Sequence, residues 1–168
     1  MTSPRLKLPL LLVLAVVIHT AVLAQLRVDG VAPDLMLLVA IGGGIAAGPS
    51  GGAVVGFMAG FVIDLFLQTP LGLSALTFSL VGYAVGNVQA GVLRASWWIP
   101  LVTVLVASVA GDVGYAAVGT VVGQAQMMTS RLLVIAPLVG AFNVALAPFV
   151  LPAVRWAARP TQLAPAYR

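Results

Sequence analysis

Apolar residues run almost without interruption through six stretches, 6–25, 32–47, 51–68, 72–93, 97–122 and 132–154, and polar residues gather in the short gaps between them. The runs are continuous, as in LKLPLLLVLAVVIHTAVLAQL, whereas barrel strands alternate apolar and polar positions. In lipid every backbone polar group must be satisfied within its own segment unless a sheet closes, so continuous runs predict helices. A hydrocarbon core ~30 Å thick takes roughly 20 residues of helix to cross. The pattern predicts an all-α polytopic membrane bundle of six transmembrane helices with short loops.

The gaps carry turn chemistry. Arg27, Asp29 and Gly30 separate the first two runs, Gly48-Pro49-Ser50-Gly51 the next two, and Gln68-Thr69-Pro70-Leu71-Gly72 the third and fourth. Trp97 and Trp98 beside Arg94 mark an interfacial corner, the level indoles favour, and Gln124 to Arg131 forms the last loop. This spacing predicts one membrane domain over 1–155 and a short basic tail over 156–168. Arg5, Lys7 and the Ala21–Gln25 segment have the flavour of a cleavable signal, but the apolar run is longer than the usual 7–15 residues. The first run is therefore expected to stay as a span.

Composition sharpens the class. Lys and Arg number 8, Asp and Glu 4, and charged residues make up 7% of 168, against about 25% in soluble domains. The eight basic residues are too scattered for a phosphate-tracking face, so nucleic acid is not an expected partner and the lipid bilayer is. Cysteine is absent, which removes disulfides and thiolate chemistry. With both ends in the cytoplasm, Arg5, Lys7, Arg94, Arg155, Arg159 and Arg168 lie inside and only Arg27 and Arg131 outside, following the positive-inside bias. The same arrangement puts Asp29, Asp34, Asp64 and Asp112 in the outer half, which the basic residues did not impose.

A lone carboxylate in hydrocarbon costs at least ~2.5 kcal/mol, so Asp64 and Asp112 must pair, protonate, or face protein or water. They are expected to form an outer polar cluster with Asp34 and Arg131, either tying helix ends together or opening a partner or ligand site. Gly52, Gly56 and Gly60 recur every four residues, as do Gly82 and Gly86. Such faces let helices approach closely in lipid, packing the third span on the fourth or alternatively forming a homodimer face. Asn87, Gln89 and Asn143 are expected to donate interhelical hydrogen bonds. His19 reads as a packed neutral residue; one histidine builds no multi-histidine metal site. No serine–histidine–acid set, HExxH or aspartate-rich magnesium motif occurs, so neither an enzyme nor a cofactor is expected.

The ordered set Pro33-Asp34-Leu35, Gly48-Pro49, Gly56-Phe57, Gly60-Phe61, Asp64-Leu65, Thr69-Pro70-Leu71-Gly72-Leu73 and Gly82-Tyr83 resembles the MreD family, the small membrane subunit of the bacterial rod-shape (elongasome) system. The resemblance covers roughly residues 33–90. It implies a non-catalytic scaffold of the plasma membrane that binds the bitopic MreC. Through MreC it would link MreB filaments to the peptidoglycan synthase RodA and its transpeptidase. The family is also similar to the six-helix substrate-binding (S) subunits of energy-coupling-factor vitamin transporters, so a small-molecule-binding subunit is the alternative. Carried onto this chain, Asp34, Asp64, Thr69, Pro70 and Gly72 become candidates for the outer surface that meets MreC.

Overall fold

The computed structural model describes residues 4–23, 25, 31–66, 70–91, 98–124, 129 and 131–158. Among them the secondary structure is helical: α1 Pro4–Ile18, α2 Leu35–Asp64, α3 Leu73–Gly91, α4 Ile99–Val121 and α5 Leu132–Ala157. A π-helical turn, His19–Leu23, continues α1. Three helices, α2, α4 and α5, are long and apolar enough to cross a membrane, with a shorter apolar helix at Leu6–Val22. The architecture is that of a membrane helical bundle.

The second and third apolar runs emerge as one element, α2, broken at a single residue. Gly48 adopts φ 74 and ψ −169, a region essentially confined to glycine because a Cβ there would collide with its own backbone. Pro49 follows, supplying a pre-set φ at the head of the second arm where its missing N–H costs nothing. The break is sharp enough to turn the chain back on itself. A methyl group at Gly43 would stand 2.6 Å from the Val55 Cβ, and one at Gly52 would stand 2.6 Å from the Gly44 Cα. In a continuous helix residues 43 and 55 would be about 18 Å apart. Arms 35–47 and 49–64 therefore run antiparallel, in contact.

The first arm is the centre of the molecule. Met36, Leu37, Leu38, Ala40 and Ile41 are fully buried, packed among Leu12 and Val16 of α1, Val104 of α4 and Ala147 and Val154 of α5. Polarity is so low on every side of it that no polar stripe separates it from its neighbours.

Element boundaries differ modestly from the sequence expectation. The third run ends at Asp64 rather than 68, and the sixth extends to Ala157 rather than 154. α5 continues through Pro137, Pro148 and Pro152, which membrane helices tolerate because neighbours satisfy the freed carbonyls. Arg27, Asp29, Arg94, Trp97 and Thr69 lie outside the described residues.

Contacts order the two ends of the bundle. The Lys7 ammonium sits 5.0 Å over the Trp156 ring, a cation–π pair joining the start of α1 to the end of α5. Gly42 lies against Leu151 and Val154, and Gly86 against Gly48 and Pro49. One end thus gathers Lys7, Gly48, Trp156 and Arg155. Asp34, Asp64 and Gly72 lie at the opposite, acidic end.

Candidate functional site

The acidic end is built from helix termini. At the head of α2, Pro33 is buried and Asp34 holds a non-helical φ of −100. Its Oδ1 accepts from the amides of Met36 and Leu37, each at 3.0 Å, satisfying two of the orphan donors of the first turn.

Asp64 performs the same service for a different helix. α3 begins after Gly72, whose φ of 96 suits glycine and which has no side chain to cap with. Asp64, at the end of α2, fills that role from across the turn. Its Oδ2 accepts from Gly72 N at 2.9 Å and Ala75 N at 3.2 Å, and its Oδ1 from Ser74 N at 3.2 Å. The carboxylate is only 1% exposed; three amide donors and the positive end of the α3 dipole compensate its burial. Pro70, half-buried in the same turn, accepts from Leu73 N at 3.2 Å.

Asp112 is placed elsewhere. It lies two turns short of the end of α4, next to Gly111, whose Cα faces Leu37 of α2. Asp34 is within electrostatic reach of both Asp112 and His19. His19 Nδ1 and Asp112 Oδ2 are buried without a hydrogen-bond partner. The structure therefore divides the expected outer cluster. Asp64 is spent on α3, Asp34 caps α2 within electrostatic reach of Asp112, and no ion pair joins Arg131 to any of them among the described residues. Arg131 is exposed at the N-cap of α5 and makes no side-chain cap. Sequence reasoning set His19 aside; its position in a π-helical turn, a feature frequent at functional sites, has no sequence signature.

The glycine rows meet backbone. A Cβ at Gly56 would strike the Phe78 carbonyl oxygen, one at Gly60 that of Ser74, and one at Gly52 that of Gly82. Arm 49–64 and α3 thus lie backbone to backbone over about two turns. The polar side chains split in two. Gln89 donates to Thr103 Oγ1 at 3.1 Å, tying α3 to α4, and Asn143 donates to Ser108 Oγ at 3.0 Å inside the α4–α5 seam. Asn87 instead donates to the Tyr83 carbonyl of its own helix, so it bridges nothing. Ser108, missed in the sequence, sits one turn before Asp112 on the inward face of α4. Among the described residues no group of three His, Cys, Asp or Glu could hold a metal ion.

Comparison with known families matches residues 3–156 to the model of MreD, rod shape-determining protein MreD. The chain belongs to the MreD family. The match runs well past the 33–90 segment that carries the motifs, into the apolar flanks. No curated protein and no solved structure matches the chain. MreD is a shape-determining structural family, not an enzyme family, and this chain is accordingly a rod shape-determining membrane protein. Asp34 and Asp64, two of the motif residues, are helix-terminus acceptors in this MreD protein.

Proposed function

We propose that this MreD chain is a non-catalytic scaffold of the bacterial inner membrane that crosses it six times, with both ends in the cytoplasm. It binds MreC and through it helps couple MreB filaments to RodA and its transpeptidase. Residues 1–155 form the membrane domain and 156–168 a short basic cytoplasmic tail. The family match over residues 3–156 carries this reading. The fold supports it physically: the two arms of α2 and helix α3 are locked by glycine contacts and by Asp64, giving a stiff outer edge for a partner. Asp34, Asp64, Thr69, Pro70, Gly72, Asp112 and Arg131 are assigned to that outer surface, the first two by shaping it rather than touching the partner.

Leu71 is 72% exposed beside Gly72 and offers a clean probe. Leu71→Arg is expected to leave the melting temperature of the protein unchanged and to cut co-purification of MreC at least five-fold. Full retention of MreC would remove this turn from the partner surface.

A second reading, a small-molecule-binding subunit like the transporter S components, is favoured by one observation, the unpartnered His19 Nδ1 and Asp112 Oδ2 beside Asp34. Thermal stabilisation of the purified protein by a vitamin, abolished by Asp112→Asn, would support it over the scaffold reading.

A further inference from the structure

Helices α4 and α5 pack closely at mid-height. Gly140 of α5 lies against Leu105, and Asn143 bonds Ser108. Toward the acidic end they part, leaving a cavity of about 410 Å³ lined by Val109 and Val113 of α4 and by Leu132, Leu133, Ala136 and Pro137 of α5. The lining is apolar, and Leu133 is 80% exposed at its rim. Arg131 is exposed and directly precedes Leu132, which lines the cavity together with Thr129. The other cations among the described residues with a stated position, Lys7 and Arg155, belong to the opposite end of the bundle.

We propose that this slot is a binding site for an anionic phospholipid, whose hydrocarbon chain lies between α4 and α5 while its phosphate meets Arg131. The inference depends on the chain being embedded in a membrane, and it gives Arg131, counted above in the outer surface, a lipid rather than a protein partner. The division of polarity along the slot selects the occupant. Hydrocarbon chains are narrow and match its apolar walls. Polarity excludes a free anion as the sole ligand, because only the mouth carries charge. An amphipathic molecule with a negative head at the helix ends and an apolar body below matches both parts.

The test compares lipid retention on the intact, detergent-purified protein by native mass spectrometry, with phosphatidylglycerol and phosphatidylcholine of identical chains added in equal amounts. Wild type is expected to retain phosphatidylglycerol preferentially. One basic side chain near the membrane surface contributes about a five-fold preference, so Arg131→Gln is expected to lower the ratio about five-fold and Arg131→Lys to keep most of it. Leu133→Trp, which adds bulk at an exposed rim position, is expected to reduce retention of both lipids while leaving their ratio intact. An unchanged ratio in Arg131→Gln, or unchanged retention in Leu133→Trp, overturns the proposal. So does displacement of the lipid by inorganic phosphate at concentrations matching ionic strength controls, which would assign the site to a free anion.

Discussion

Asp64 accepts the amide of Gly72 at 2.9 Å, and with it those of Ser74 and Ala75, so the end of one helix caps the beginning of the next. The spacing between this aspartate and the Pro70-Leu71-Gly72 turn follows from that geometry. Gly72 must swing to positive φ to start α3, which leaves the N-cap position without a side chain, and the carboxylate arrives from eight residues upstream.

Removing that acceptor leaves buried amides unpaired, at ~1–3 kcal/mol for each group that water cannot reach. Asp64→Ala is expected to lower unfolding stability by about 2–4 kcal/mol. Asp64→Asn keeps one acceptor oxygen and is expected to cost about half as much or less. Chemical denaturation in detergent measures both; equal tolerance of Ala and Asn would contradict the capping role.

The fold-back at Gly48 makes a topological prediction. Ser50 is exposed just past the break and Leu71 just past the second arm. The chain contains no cysteine, so single cysteines report cleanly. Ser50→Cys is expected to react with a membrane-impermeant maleimide only from the cytoplasmic side, and Leu71→Cys only from the outer side. Labelling of both from one side would defeat the six-crossing reading. Gly48→Ala meets no neighbour within 4 Å, so its expected cost of about 1–3 kcal/mol is backbone strain alone.

At Gly56 and Gly60 the obstacle is steric. The added Cβ of an alanine would meet the carbonyl oxygens of Phe78 and Ser74, and backbone cannot yield as a side chain can. Gly56→Ala is expected to push arm 49–64 off α3 and to destabilise more than Gly114→Ala, where the nearest atom is Thr77 Cγ2 at an ordinary 3.7 Å. Melting temperatures of the two variants in the same detergent decide the order. A smaller loss for Gly56→Ala would mean that the two helices are not in backbone contact.

Ser108 and Asn143 join α4 to α5 through one buried hydrogen bond. Side-chain hydrogen bonds within membranes contribute about 0.6 kcal/mol on average and about 1.7 at most. A double-mutant cycle of Ser108→Ala and Asn143→Ala is expected to return a coupling energy in that range. A value indistinguishable from zero would show that packing alone holds the seam.

How much of this was legible beforehand differs by residue. The apolar runs announced lipid-embedded helices, because a segment without charge or alternation has one stable state in a bilayer. The four-residue glycine spacing announced a close-approach face, since it places every Cβ-free position on one side of a helix. Gly48-Pro49 announced a break for the same local reason, as each residue restricts its own φ and ψ.

What the carboxylates do was decided only in three dimensions. Asp64 and Asp112 look alike along the chain, each a single acid in an apolar run. One is satisfied by three amides of the helix that follows, while the other lies within electrostatic reach of Asp34 and leaves an oxygen without a partner. Local pattern fixes which segments become helices because backbone hydrogen bonding is local. The partner of a buried polar group depends on which helix ends meet, and only packing of the whole bundle determines that.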